Sequence, residues 1–282
     1  NPIYDTIIYE NNFNKRTFLL SGLGFSYKKS KSLEFYSNLS QNYRSVTFSD
    51  ISIVNPSYRI NPDIEDEKGG TFDIGARGNY KNNISYDFTS FVILYNNRIG
   101  FVQKEFEFGG VKSERDNVGN AMLYGLETQA ELNLKKVLDL SEKYLCNYFV
   151  NLATIQSEYI SSQQPGIMGK QVEFVPKFNI KTGFSFGYNN LMALIQYNYI
   201  SEQYSDASNA VNSNLSGVIG IIPSYSVADF SMSYKIRKIE MEFGVNNLTN
   251  SIYFTRRATG YPGPGIIPSP ARNYYLTIGV KL

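Results

Sequence analysis

Along most of this chain, apolar and polar residues exchange places at every second position, the period of a strand with two unlike faces. The clearest stretch is 124–134. There Tyr124, Leu126, Thr128, Ala130, Leu132 and Leu134 share one face, and Gly125, Glu127, Gln129, Glu131 and Asn133 share the other. Phe178, Ile180, Thr182, Phe184 and Phe186 likewise oppose Asn179, Lys181, Gly183, Ser185 and Gly187. Ile239, Met241, Phe243 and Val245 oppose Glu240, Glu242 and Gly244. At the end of the chain, Tyr274, Leu276, Ile278, Val280 and Leu282 oppose Tyr275, Thr277, Gly279 and Lys281. A row of carboxylates and amides cannot enter a packed sandwich core without partners, but it can line water. Such strands describe a wall with lipid on one side and water on the other.

Alternation and chain breakers together predict about 11 strands. They lie near 17–28, 33–44, 71–80, 84–99, 119–134, 145–158, 172–187, 190–204, 223–236, 239–250 and 272–282. The connections between them alternate. Short turns fall at Lys29–Ser32, Lys81–Asn83, Tyr188-Asn189 and Arg237-Lys238, with a medium one at Lys135–Lys143. Long loops fall at 45–70, 100–118, 159–171, 205–222 and 251–271. Within the last, Arg256 to Gly265 is so rich in Gly and Pro that it reads as irregular. Short turns at one end and long loops at the other are the asymmetry of outer-membrane barrels. The expected fold is all-β, a transmembrane antiparallel β-barrel.

An odd number of spans puts the two chain ends on opposite sides of the wall, which a closed, even-stranded barrel does not allow. Residues 1–282 are therefore expected to be the C-terminal part of a barrel whose first strands lie upstream. The absence of a basic and apolar leader in Asn1-Pro2-Ile3-Tyr4-Asp5 fits that expectation. Such a piece would expose two sheet edges to lipid and is not expected to insert stably alone.

Composition narrows the function classes. The longest clean apolar run, Phe91–Tyr95, is far short of the ~20 residues a spanning helix needs. The 23 Tyr and 19 Phe, with no Trp, suit rings placed at membrane interfaces. Net charge is +2 and basic residues form no run, so no nucleic-acid partner is expected. The single cysteine, Cys146, excludes an internal disulfide and reads as a small apolar strand residue. Histidine is absent, which removes Ser-His and Cys-His pairs and His-ligated zinc or haem from this stretch. Most of the usual nucleophile-base pairs are thereby removed, although a carboxylate mechanism could survive, and no reaction is needed to explain the sequence; Glu127, Glu131, Glu240 and Glu242 recur along whole strands, as lumenal hydrogen-bonders do. Asp63-Ile64-Glu65-Asp66-Glu67 lacks the spacing of a loop-type calcium site and reads as a solvated loop tip.

Three segments carry a resemblance. Tyr124-Gly125-Leu126-Glu127-Thr128, Phe243-Gly244-Val245-Asn246-Asn247-Leu248 and the alternating terminal strand resemble the C-terminal half of a TonB-dependent outer-membrane receptor. Three more are similar to the ferric dicitrate receptor branch of Bacteroidetes-type bacteria: Tyr253–Arg257 with Tyr261–Pro268, the loop from Phe48 to Pro56, and Tyr95–Gly100. The resemblance covers essentially the whole chain. It departs from the family in ending on Leu282 rather than an aromatic residue, and in Thr249-Asn250 following Asn246-Asn247-Leu248.

The resemblance implies a 22-stranded barrel around an N-terminal plug domain, opened when the TonB energy-transducing complex pulls on an N-terminal box. Plug, box and the first barrel strands would lie upstream of residue 1. It implies an iron(III) dicitrate ligand, with iron carried as chelated substrate and no cofactor, in the bacterial outer membrane. Another siderophore, cobalamin, a glycan or a passive porin are the alternatives. An anionic chelate calls for cations at the extracellular mouth, and Arg offers a two-pronged fork to carboxylates. The candidates are Arg44, Arg59, Arg98 and the adjacent Arg256 and Arg257. Gln196, Asn198 and Asn246 could add neutral hydrogen bonds.

Overall fold

The computed structural model describes residues 17–30, 32–51, 58–105, 111–258 and 265–281. In chain order the strands are β1 (Gly22–Ser30), β2 (Leu33–Arg44), β3 (Tyr58–Ile60), β4 (Glu67–Tyr80), β5 (Ile84–Glu105), β6 (Val111–Asn133), β7 (Tyr144–Ser161) and β8 (Phe178–Tyr188). They continue as β9 (Leu191–Ile200), β10 (Gln203–Tyr204), β11 (Ile221–Ile222), β12 (Tyr225–Ile236), β13 (Ile239–Asn246), β14 (Phe254–Ala258), β15 (Gly265–Pro268) and β16 (Asn273–Val280). Two single-turn helices, α1 (Phe48–Ile51) and α2 (Leu134–Val137), interrupt them.

One sheet runs β1-β2-β4-β5-β6-β7-β8-β9-β12-β13-β16, and β3 pairs off that path with β6. Every pairing along the path is antiparallel and joins strands that follow one another around the wall. The eleven strands on this path answer the eleven expected from alternation. The tight turns adopt the left-handed conformations that two-residue hairpins require: Lys81, Asn82, Asn189 and Arg237 all have φ between 50° and 55°.

Both faces of the wall are open. Phe88 and Leu126 are 51% and 57% exposed on one face, while Glu127, Gln129 and Glu131 are turned to the other. A soluble sheet buries at least one face; this one presents apolar residues outward and polar residues to a hollow. The polar face is braced by rings lying over cross-strand glycines. Phe91 faces Gly125, Phe149 faces Gly183, and Tyr275 faces Gly244. A Cβ on Gly244 would fall 2.1 Å from the Tyr275 ring, so glycine is what allows the ring to lie flat. Tyr275 then reaches Glu242 at 3.0 Å.

Several boundaries depart from the alternation. The loop expected at 100–118 is largely a tall hairpin, because β5 and β6 stay paired out to Glu105 and Val111. Bulges between Tyr95 and Ile99 break the period there, and Asn97 turns left-handed at φ 57. The strand expected from 172 begins at Phe178, since Pro176 lacks an N–H and Phe174 sits at φ 60. The strand expected to reach 204 stops at Ile200, and Gln203-Tyr204 pair instead with Ile221-Ile222. The strand expected to reach 250 stops at Asn246, where Asn247 turns left-handed. The stretch from Arg256 to Gly265, expected to be irregular, has paired arms, with Arg257 opposite Ile266; 259–264 lie outside the described residues.

The buried core lies at the long-loop end. Val102, Val118, Ala121, Leu123, Tyr159, Ile167, Val172 and Ala207 form it, with Ile93, Tyr95, Ile155 and Val175 packed against it. Ile93 and Tyr95 share a face of β5 with Asp87 and Thr89, which line the polar hollow. The loop from 162 to 177 is therefore folded over the lumenal side of the wall, where it closes one side of a cavity.

Candidate binding cavity at the long-loop end

The upper end of β2 delivers Tyr43 and Arg44, and the first residue of β4 delivers Glu67. The bulged part of the β5–β6 hairpin contributes Arg98, Ile99, Gly100, Phe101 and Arg115. The infolded loop adds Glu173 and Phe174. These residues enclose a cavity of about 450 Å³, also lined by Asn42, Lys68, Tyr95 and Ser205.

Its arginines are held by carboxylates of the protein itself. Arg44 Nη1 donates to Glu67 Oε1 at 3.1 Å, and Arg44 Nη2 donates to both oxygens of Asp50 at 2.8 Å. Arg115 Nη2 donates to the same Asp50 at 2.7 Å, with its guanidinium over the Phe101 ring. Glu67 also accepts the backbone N–H of Ile99 at 2.7 Å. Arg98 lies over the Tyr95 ring and donates to Glu173 at 3.4 Å; its Nε is buried with no hydrogen-bond partner. Glu173 accepts the hydroxyl of fully buried Tyr159 at 2.7 Å. Arg44, Lys68, Arg98 and Arg115 against Asp50, Glu67 and Glu173 leave one positive charge in excess.

Asp50 is the most strongly held of these anions. Burial alone would raise its pKa, but hydrogen bonds from Arg115, from the Thr47 N–H and hydroxyl, and from Arg44 outweigh burial. Together they hold the carboxyl far below the usual carboxylate range.

Of the eight candidate residues, the cavity brings together Arg44 and Arg98. It adds Arg115, which the sequence hides in the mixed run Glu114-Arg115-Asp116-Asn117; only a bulge-corrected register reveals that Phe101 and Arg115 are partners. The other six lie elsewhere. Arg59 is exposed on β3 opposite Glu114. Gln196 donates to Asp229 at 3.2 Å, and Asn198 is half-buried opposite Lys181. Asn246 donates to Asn273 at 2.8 Å. Arg256 is exposed on β14. Arg257 directs its fork at a neighbouring loop, donating to the Gly217 carbonyl at 2.7 Å, the Ile221 carbonyl at 2.8 Å and the Ser213 hydroxyl at 2.8 Å. Among the described residues, no three His, Cys, Asp or Glu side chains are placed to hold a metal ion.

An antiparallel wall with one apolar face, one polar face turned to a hollow, and loops folded in at one end has the form of an outer-membrane-type barrel wall. The chain belongs to the TonB dependent receptor-like β-barrel family, whose model matches residues 4–248. It is similar to the unliganded ferric citrate transporter FecA, at 22% identity and a TM-score of 0.75, over 93% of this chain and 38% of that one. It is also similar to the copper transporter OprC, at 16% identity and a TM-score of 0.68, over 92% and 38%. A third likeness is to the ferric yersiniabactin uptake receptor FyuA from Yersinia pestis, at 16% and 0.67, over 93% and 37%. The chain spans less than two-fifths of each of these proteins, and identities so low carry the fold alone. No protein of curated function matches it in sequence.

Proposed function

We propose that this chain is part of an outer-membrane receptor for energy-coupled uptake of a ferric chelate, with iron(III) dicitrate as the cargo. The observation that carries this reading is the cavity at the long-loop end, where Arg44, Arg98 and Arg115 are arranged for carboxylates and already bind them. Iron enters as substrate inside its chelate, and no cofactor is needed. Exposed Arg59 and Arg256 would raise the local concentration of an anionic ligand, with Arg257 fixing the loop from 205 to 222. Gln196, Asn198 and Asn246 would offer neutral hydrogen bonds nearer the lumen. Membrane lipid would meet the apolar face, a plug domain the lumenal face, and the TonB complex a segment outside these residues. The family membership and the likeness to a ferric citrate transporter support the reading; the dicitrate branch rests on the resemblance of Tyr253–Arg257 with Tyr261–Pro268, Phe48–Pro56 and Tyr95–Gly100.

A second reading has its own support. Tyr43, Tyr95, Phe101 and Phe174 give the cavity aromatic walls, which suit a siderophore that carries rings. Binding of ferric citrate, iron-free citrate and a ring-bearing ferric siderophore to the full-length receptor in detergent separates the two. Selective binding of ferric citrate is expected. Selective binding of the ring-bearing chelate, or of none, rejects the dicitrate assignment.

A further inference from the structure

We propose that Asp50 is a built-in competitor that occupies the place of a ligand carboxylate between Arg44 and Arg115, so that an anionic ligand binds by exchanging with it. This rests on the reading of the cavity as a carboxylate site. Its own support is geometric.

Asp50 makes the contacts an incoming carboxylate would make. It takes a two-oxygen contact from Arg44 Nη2 and a third charge-assisted bond from Arg115. Both guanidiniums line a cavity open to solvent, and the Arg44 side chain is about two-fifths exposed. The segment that carries Asp50 buries little of its own apolar surface. In α1, Phe48 is 82% exposed and Ile51 is 51% exposed, so this helical turn buries neither large apolar side chain. Within the turn itself, the Thr47 N–H and hydroxyl donate to Asp50, and the Asp50 N–H donates to the Thr47 carbonyl.

The residues just before the turn are fixed independently. Asp66 accepts the Val46 N–H at 2.8 Å and the Tyr43 hydroxyl at 2.5 Å, and Glu67 holds Arg44 from the other side. If Asp50 leaves, Arg44 stays in place while the turn from Thr47 to Asp50 can move away. An empty site would leave Arg115 without its carboxylate and Arg44 with Glu67 alone, which is costly, so the site favours an anion in that place. Exchange satisfies that preference with either the protein's own carboxylate or the ligand's. It also sets selectivity. A neutral or cationic chelate cannot replace Asp50, and a carboxylate ligand sees an affinity reduced by the fraction of receptors in which Asp50 is bound.

Two variants of the full-length receptor in detergent test this. Asp50→Ala vacates the pair of guanidiniums, and acetate or iron-free citrate added to it should raise its thermal midpoint well above the effect of equal ionic strength in chloride. The wild type should show no such difference. Asp50→Asn, which keeps the size of the side chain, should tighten ferric citrate binding about tenfold or more if Asp50 is bound in most free receptors. No carboxylate-specific stabilisation of Asp50→Ala overturns the proposal, as does weaker or unchanged ferric citrate binding by Asp50→Asn beside a wild type that binds. Carboxylate-specific stabilisation together with no ferric citrate binding by any form upholds the exchange and rejects the dicitrate reading.

Discussion

Tyr159→Phe isolates the bond that ties the infolded loop to the wall. Tyr159 is fully buried, and its hydroxyl donates to Glu173 at 2.7 Å; the other Glu173 oxygen faces Arg98 at 3.4 Å. The substitution keeps the ring, so it opens almost no cavity, but it leaves a 6% exposed carboxylate one donor short. The loss of a hydrogen bond to a buried charged group is worth about 1–3 kcal/mol. If the loop opens locally, that cost raises its open population by roughly five- to a hundredfold. Hydrogen exchange reads this directly. The amides of Gly169 and Tyr159 bond the Tyr159 and Lys170 carbonyls, and the Phe174 amide bonds the Tyr204 carbonyl, all at 2.8–2.9 Å. These amides should exchange faster in the full-length variant, while amides of β6 around 125–131 should not change. An effect below twofold at Gly169 and Phe174, or an equal acceleration in β6, would refute a local lock.

Three further outcomes are expected. Phe88→Arg places a charge on the apolar face opposite Thr128 and Ala76 and should cost about 2–4 kcal/mol in refolding of the full-length barrel into lipid vesicles, whereas Glu127→Gln on the lumenal face should cost little. Arg257→Ala removes the fork that joins β14 to the loop from 205 to 222, and should speed amide exchange at Gly217 and Ile221 by roughly tenfold or more; exchange left unchanged would free Arg257 for a direct ligand role. The folded pKa of Asp50 lies below its unfolded value of about 3.9, so its stabilising contacts are fully present above that pH and are lost only as pH falls through the lower folded value. Exchange protection around Val46–Asp50 should therefore be flat from pH 7 to 5, and a loss of protection near pH 6 would contradict the geometry.

The wall was legible because its two faces are unlike, one apolar and one polar. Leu126 and Glu127 each sit where their polarity demands, so alternation survives as a plain signal. The same logic explains what was hidden. At the long-loop end, Phe91, Ile93 and Tyr95 turn apolar side chains to the lumenal side, where a loop packs over Ile93 and Tyr95. Alternation then vanishes although the backbone stays extended. Bulges at Tyr95–Ile99 shift the parity, so Arg98 could be nominated from its neighbours but Arg115 could not. Arg257 illustrates a different limit. Sequence shows a cation beside a Gly-Pro loop, and only the fold shows its donors directed at Gly217 and Ile221. Carboxylate partners such as Asp50 and Glu173 lie 6 and 75 residues from the arginines they hold, and no local pattern links the second pair.

Uptake of radioactive iron as ferric citrate by cells carrying the full-length receptor as their sole ferric citrate transporter tests the central claim most directly. Uptake is predicted to need both the receptor and the TonB complex, and to fall by roughly tenfold or more when Arg44 and Arg98 are both changed to Ala. Uptake that persists without the TonB complex, or that is indifferent to both arginines, would contradict an energy-coupled receptor built on this cavity.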